Sequence, residues 1–139
     1  AGAAKNLDSS LTKKAAELFR RAAKIYFTPQ VDFHERFNPL TGKPLSKFRD
    51  YMHSWWIDLI IKHVVGFTPR ADAKLELKPL PLELDYFAME GIPYHGHFVS
   101  VYWQRKDLPL VYENIPSGYT IKVDGKIVLQ MNKLEWINP

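Results

Sequence analysis

The chain has 139 residues, a formal net charge of +4, 46% hydrophobic residues and no cysteine. This length allows one domain or a small pair of subdomains with a packed core. The absence of cysteine excludes disulfides, thiolate catalysis and zinc–thiolate sites, and it leaves the cellular compartment open. Lysines and arginines are scattered among acidic residues without forming a basic stripe, so we expect no nucleic-acid partner.

The first half of the chain is predicted to form two amphipathic helices. The first spans residues 10–26, with lysine and arginine on its outer face and an apolar set of Leu11, Ala15, Leu18, Phe19, Ala22 and Ile25. The second spans residues 50–65, with a stop at Gly66 and a buried face of Trp55, Trp56, Leu59, Ile60, His63 and Val64. It is too short and too charged to cross a bilayer, and we expect no membrane partner.

After Pro69 the pattern changes to short segments with strand-like alternation, separated by prolines and turn residues. Asp124-Gly125 is the strongest turn signal, because this pair supplies the positive φ angles of a type I′ hairpin. The predicted strands cover residues 74–78, 84–89, 97–103, 110–112, 119–123 and 127–131. Together they predict an antiparallel sandwich or partial barrel, and we divide the chain into domains 1–70 and 71–139.

The long connection between the two helices contains the main candidate site. Glu35 lies there between Phe33 and Phe37, with His34 and Arg36 beside it. A carboxylate among aromatic rings in a loop is suited to general acid or base chemistry. The alternative interpretation is a solvated surface carboxylate, with the residues that follow it, 38–42, forming a turn for structural reasons alone.

Two further groups of residues have a chemical and a structural interpretation. His95 and His97 would lie on one face of an extended strand, a spacing that favours a cupin-like metal site. No glutamate or further histidine at the expected spacing completes a ligand set, so hydrogen-bonded histidines at a tight strand entry are the better prediction, and we expect no metal and no cofactor.

Large aromatic side chains either stack on sugar rings or fill protein cores. The candidates here are Trp55, Trp56, Trp103, Trp136, Tyr86 and Phe87.

Trp55 and Trp56 are adjacent, so both cannot face one pocket, although one of them can line a cleft. His53 lies near the start of the same predicted helix, close to where the long connection delivers Glu35. The candidate substrate-binding residues are therefore His34, Phe37, His53 and Trp55.

Seven motifs follow one another along the chain in a characteristic order. The helical half contains FHERFNPLTG at 33–42, YMHSWWIDLII at 51–61 and GFTPR at 66–70. The strand half contains LKPLP at 77–81, DYF at 85–87, YHGH at 94–97 and VDGK at 123–126. This order of motifs resembles the C-terminal end of six-hairpin glycosidases, the processing α-glucosidase, trehalase and mannosylglycerate-hydrolase-like families. The resemblance implies an α+β chain, in which the C-terminal helices of an α/α toroid precede a small antiparallel β-sandwich domain.

The resemblance also implies an inverting glycoside hydrolase that acts on α-linked glucosides or mannosides, with Glu35 as the general base. The general acid matches no residue here, so the remaining part of the catalytic domain is the implied partner, besides the carbohydrate substrate. The chain opens on Ala1-Gly2 without an initiator methionine, so we expect it to be a C-terminal piece. Because the general acid is missing from it, we expect this piece to be inactive alone. The alternative is a non-catalytic carbohydrate-binding or packing β-module with two helices.

Overall fold

The computed structural model describes residues 9–27, 33–49 and 55–137, which fall into two units, Ala1–Leu59 and Ile60–Pro139. In the first unit, helix α1 spans Ser9–Phe27 and confirms the helix predicted over residues 10–26. Its alanines face inward, since Ala15 and Ala16 are both buried. No helix within the described ranges is long and apolar enough to span a bilayer.

The apolar residues of α1 form one wide face, and the structure covers part of it. Phe19 and Tyr26 make edge contacts with Trp56 at ring-centroid distances of 5.6 and 5.0 Å. Three apolar residues seven positions apart, Leu11, Leu18 and Ile25, are exposed at the other edge of this face, and Leu18 is 59% exposed. Helical spacing predicts the apolar face but not how much of it is covered.

The second predicted helix is described from Trp55 onward, and its predicted start at residues 50–54 lies outside the described residues. Helix α2 spans Trp55–Leu59, and a π-helical segment spans Ile60–Val65. Trp56 is buried, whereas Trp55 is 44% exposed, so the predicted burial of Trp55 is wrong. A π-helical turn holds more than the usual 3.6 residues, which changes the set of residues that share a face.

The chain leaves this segment at Gly66, whose φ of 80° confirms the predicted left-handed stop. A Cβ atom at this position would lie 2.1 Å from the carbonyl carbon of Lys78. The Gly66 carbonyl also accepts the backbone N–H of Lys78 at 2.8 Å. Only glycine allows the two backbones to lie this close together.

The second unit contains two antiparallel sheets. Strands β1, Phe67–Thr68, and β2, Glu76–Leu77, form a short pair. Strands β3, Tyr86–Tyr94, β4, His97–Gln104, β5, Gly118–Val123, and β6, Lys126–Met131, form a sheet in sequential order. The π-helical segment and both sheets contribute side chains to one hydrophobic core. Its buried residues are Val65, Phe67, Leu77, Met89, Val99, Val101, Tyr119 and Ile121.

Local turn chemistry fixes the two hairpin turns of the larger sheet. Asp124 and Gly125 have φ angles of 49° and 79°, which confirms the predicted hairpin. His95 and Gly96 have φ angles of 48° and 84° and connect β3 to β4. His95 therefore lies in a turn and not on a strand, so the prediction of two histidines on one strand face is wrong.

Residues 110–112 do not form a strand, and this prediction is wrong. The buried side chain of Gln104 binds the loop that contains them. Its Oε1 atom accepts the backbone N–H groups of Val111 and Tyr112 at 3.0 and 3.4 Å, and its Nε2 atom donates to the Ile115 carbonyl at 2.8 Å. Because a side chain satisfies this backbone, the loop needs no strand partner.

The described residues thus form a mixed α+β fold, as predicted, with a four-stranded and a two-stranded antiparallel sheet. The toroid and the sandwich remain predictions. The domain boundary after residue 70 stays a prediction. The two compact units divide between Leu59 and Ile60, and Val65 and Phe67 pack into the core of the sheet unit.

Candidate functional site

Residues 33–49 form an irregular hairpin that carries Glu35. Two bridge pairs, His34 with Arg49 and Phe37 with Pro44, connect its arms. The backbone N–H of Glu35 donates to the Phe48 carbonyl at 3.1 Å. These bonds fix the backbone on which the Glu35 side chain is carried, although the segment has no regular strand ladder.

The tip of the hairpin is the turn predicted over residues 38–42. The Asn38 side-chain oxygen accepts the backbone N–H groups of Leu40 and Thr41 at 2.9 and 3.0 Å. The N–H of Gly42, whose φ is 68°, donates to the Asn38 carbonyl at 2.8 Å. The chemistry of asparagine and glycine in turns therefore explains this tip without any functional role.

The Glu35 carboxylate is anchored through one of its two oxygens. The Ser46 hydroxyl donates to Oε2 of Glu35 at 3.1 Å, and the Ser46 oxygen accepts the backbone N–H of Phe48 at 3.1 Å. The Arg36 Nε atom lies 3.6 Å from the same Oε2. Within the described ranges Oε1 has no hydrogen-bond partner, and 35% of the side chain is exposed. The carboxylate is thus oriented, with one oxygen accessible.

His34 supports the same serine from below. The His34 ring is buried, and its Nδ1 atom donates to the Ser46 carbonyl at 2.8 Å. Because a carbonyl only accepts hydrogen bonds, this contact places the proton on Nδ1. The edge of the His34 ring also meets the Phe37 ring at a centroid distance of 5.8 Å. His34 and Phe37 therefore contact each other within the Glu35 hairpin.

An aromatic cluster connects the hairpin to the helices of the first unit. The Tyr26 ring contacts the rings of Phe33, Phe37 and Trp56 at centroid distances of 5.4, 5.1 and 5.0 Å. Trp55 stacks on Trp56 at 5.2 Å. The cluster thus links three predicted site residues, His34, Phe37 and Trp55, in one set of ring contacts. His53 lies outside the described residues.

Ser46 was not among the residues selected from the sequence. In the structure the Phe37–Pro44 bridge sets a register that places Glu35 opposite Ser46, and the N–H of Leu45 donates to the Arg36 carbonyl at 3.0 Å in the same register. The outer bridge, His34 with Arg49, is shifted by two residues from that register. The position of the turn at residues 38–42 would pair Phe37 with Lys43, so the contact of Ser46 with Glu35 was not predictable from it.

His95 in the β3–β4 turn and His97 at the start of β4 both bind protein groups. His95 Nε2 contacts the Arg70 carbonyl at 2.8 Å, and His97 Nδ1 contacts Asp124 Oδ2 at 2.7 Å. Hydrogen bonds from the Phe98 backbone N–H and from His97 hold the pKa of Asp124 below its usual range. No group of three or more potential metal-ligating side chains occurs in the part of the chain that the structure describes.

The remaining aromatic candidates have different surroundings. The Trp103 indole N–H donates to the Leu84 carbonyl at 2.8 Å. Trp136 is exposed and has the Lys78 ammonium 4.3 Å from its ring centroid. Tyr86 is exposed at the start of β3, and Phe87 packs against the core.

The chain was also compared with known proteins. No family model matches it. A solved structure described as a sialidase is similar to 94% of this chain, with a TM-score of 0.69 and 26% sequence identity. The chain spans 12% of the length of that sialidase. Its fold is thus similar to one segment of a longer protein.

Proposed function

We propose that this chain is the part of an inverting glycoside hydrolase that supplies the general base, with α-linked glucosides or mannosides as substrates. The similarity to a sialidase over 94% of the chain supports a parent enzyme that acts on carbohydrates. A sialidase is itself a glycoside hydrolase. The proposed general base is Glu35, and the proposed acid belongs to the remaining part of the catalytic domain.

The observation that carries the proposal is the asymmetric environment of the Glu35 carboxylate. Oε2 accepts the Ser46 hydroxyl at 3.1 Å, while Oε1 has no donor within the described ranges. A general base needs a fixed direction and one oxygen that is free to receive a proton. An unanchored surface carboxylate would instead rotate among several rotamers.

In the proposed reaction Glu35 removes a proton from water as that water attacks the anomeric carbon. The acid protonates the leaving oxygen, so the configuration at the anomeric carbon is inverted. Room for the water requires the two carboxyl groups to be roughly 6.5 to 9.5 Å apart. The exposed side of Glu35 is where such a water would be bound.

The surroundings of Glu35 suggest different roles for the other proposed site residues. Trp55 is the exposed aromatic of its pair, so we assign it the contact with a sugar ring. His34 and Phe37 form the floor of the hairpin, where they hold Ser46 and shape the site. His53 is proposed as a polar wall residue on the basis of the sequence alone.

The exposed face of α1 supports a further helix as partner. Leu11, Leu18 and Ile25 are spaced by seven residues and therefore share one face of the helix. Exposed apolar side chains at this spacing are typical of a helix that packs against another helix. The remaining part of the catalytic domain is the proposed occupant of this face.

The proposal is tested in the complete enzyme with Glu35→Gln. Glutamine keeps the shape of glutamate and the acceptor for Ser46, but it cannot remove a proton from water. We expect kcat to fall by about 10³-fold or more with little change in substrate affinity or thermal unfolding. Azide, which attacks without a base, should restore turnover and yield the inverted glycosyl azide.

Glu17→Gln is the matched control, because Glu17 is an exposed glutamate of α1 paired with Arg21. We expect it to keep wild-type kcat. Wild-type kcat in Glu35→Gln, or retention of configuration in the wild-type product, would show that Glu35 is not the base of an inverting reaction.

A further inference from the structure

A cavity of about 660 Å³ opens in the sheet unit, and none of the proposed catalytic residues contributes to it. Its volume lies within the range of about 300–1,000 Å³ that is typical of small-molecule sites. Its floor is apolar and consists of Pro81, Leu84, Trp103 and Leu134. Its polar lining consists of Glu83, Arg105, Asn132 and Lys133.

The aromatic part of the floor is held in place before any ligand arrives. Trp103 lies in β4 and pairs with Phe87 of β3 and Tyr119 of β5. Its indole N–H donates to the Leu84 carbonyl at 2.8 Å, which fixes the plane of the ring. A fixed ring contacts an apolar ligand face without first losing rotamer freedom.

Arg105 is also held in one position, yet it retains donors. Its Nη1 atom donates to Asp85 at 2.9 Å, its Nε atom donates to Asp107 at 3.0 Å, and its Nη2 atom also donates to Asp107. A guanidinium has five N–H groups, so two of them remain for a ligand. The two aspartates therefore orient Arg105 without saturating it.

Two neighbouring residues add donors to the cavity lining. Within residues 55–137 the structure gives no partner for the side chains of Asn132 and Lys133, which follow β6 directly. Glu83 also lines the cavity and has a φ of 55°, an uncommon conformation for a residue with a side chain. The cavity lining thus combines hydrogen-bond donors with apolar side chains.

The charge balance distinguishes among possible ligands. The lining carries Glu83 together with Arg105 and Lys133, and two carboxylates outside the lining, Asp85 and Asp107, already bind the Arg105 guanidinium. A phosphate or an acidic sugar would have to compete with these two carboxylates for Arg105, which disfavours such ligands. A pyranose ring has an apolar C–H face and a rim of hydroxyls that both donate and accept, which matches the floor and the lining.

We propose that this cavity is a binding subsite for a short neutral oligosaccharide, with Trp103 under a sugar ring and Asn132, Lys133 and Arg105 on its hydroxyls. The site is in the sheet unit, so it does not depend on Glu35 being a catalytic base. It would hold a carbohydrate chain by a part of the molecule that takes no part in hydrolysis.

The test is an NMR titration of the full chain with maltotriose, in which the tryptophan indole N–H signals are followed. The signal of Trp103, assigned with Trp103→Phe, should move with a dissociation constant on the order of 1 mM. The signals of Trp56 and Trp136 are internal controls and should stay in place. Trigalacturonate has the same length but three carboxylates, and we expect it to bind more weakly.

The variant Asn132→Ala/Lys133→Ala should weaken maltotriose binding by about tenfold, because two ligand contacts are lost. Lys106→Ala removes an exposed lysine that is not part of the cavity lining, and it should bind like the wild type. An unmoved Trp103 signal, equal affinity in both variants or tighter binding of trigalacturonate would each overturn the proposal.

Glu35→Gln separates the two proposals, since it should leave the Trp103 titration unchanged. If that variant loses turnover but still binds maltotriose at Trp103, both proposals stand. If the Trp55 signal moves and the Trp103 signal does not, the sugar binds near Trp55 and the Glu35 hairpin, and the cavity is excluded as the binding site.

Discussion

Ser46 is the residue that turns Glu35 from a surface carboxylate into an oriented one. Its hydroxyl joins the Phe48 backbone N–H to Glu35 Oε2, with both distances at 3.1 Å. Glu35 was selected from the sequence as a candidate because an acidic residue between two phenylalanines is visible in one short window, and its catalytic role stays a prediction. Ser46 was not selected, since that contact depends on how the two arms of the hairpin pair.

Ser46→Ala removes the donor to Glu35 and the acceptor of the Phe48 N–H. We expect the free energy of unfolding to fall by about 1 kcal/mol. On the proposed function, kcat of the complete enzyme should fall by about tenfold with an unchanged KM, because an unanchored base is less often in position. Thermal unfolding and steady-state kinetics measure the two effects. Thr41→Ala, which removes an exposed hydroxyl from the same hairpin, is the control.

Tyr119 presents a different case at the same scale. Its side chain is fully buried, and its hydroxyl has no hydrogen-bond partner among the described residues. Burial raises the pKa of Tyr119 well above its usual value. The unpaired hydroxyl was not predictable from the sequence, because the apolar pattern of β5 predicts a strand but not whether a buried hydroxyl meets a partner.

The raised pKa of Tyr119 predicts a loss of stability in alkali. Above about pH 10 the unfolded chain loses the tyrosine proton while the folded chain keeps it, so the free energy of unfolding falls as pH rises. The expected slope is up to about 1.4 kcal/mol per pH unit. Tyr119→Phe should reduce this slope in urea titrations at pH 9 to 11, whereas Tyr86→Phe, at an exposed position, should not.

At the scale of elements, the predictions that rested on local chemistry were the ones confirmed. The helix Ser9–Phe27 followed from its apolar spacing, and the β5–β6 turn followed from Asp124-Gly125. The β3–β4 turn was missed because His95 was assigned to an extended strand entry, and a positive φ is uncommon for any residue other than glycine. The length of β3 was underestimated, since Pro93 and a register shift between Met89 and Ile92 interrupt its pattern without ending it.

Two glycines with nearly equal φ angles allow the cost of a positive φ to be separated from the cost of a steric clash. Gly66 and Gly125 have φ angles of 80° and 79°. A Cβ at Gly66 would lie 2.1 Å from the Lys78 backbone, whereas one at Gly125 meets nothing within 4 Å. We expect Gly125→Ala to cost about 1 kcal/mol and Gly66→Ala more than about 3 kcal/mol in urea unfolding. Equal costs would mean that the close approach at Gly66 does not matter.

For the whole molecule, composition and strand content were sufficient to predict the α+β class. The extent of each unit was not predictable, because the change in pattern after Pro69 marks the start of strand-like sequence and not the edge of a core. Val65 and Phe67 belong to the core of the sheet unit although they precede that change. The architecture of a parent protein lies equally beyond what these residues determine.

Phe67→Ala tests to which unit this segment belongs. Phe67 is buried in the core with Leu77 and Val101, so its truncation should cost about 3 to 5 kcal/mol. In hydrogen-exchange measurements the largest loss of protection should occur in β4 and β5. Trp56→Ala is the reciprocal variant, and it should act mainly on α1 and the hairpin. If Phe67→Ala reduced hydrogen-exchange protection only in α1, Phe67 would belong to the first unit and not to the sheet unit.

The side chain of Gln104 has a consequence for how this protein can evolve. Its amide is both donor and acceptor for the backbone of residues 111–115, and glutamate has no donor while asparagine is shorter by one carbon. Position 104 and the β4–β5 connection are therefore under joint selection. We expect relatives with another residue at this position to carry a connection of different length or sequence, so that the two features change together.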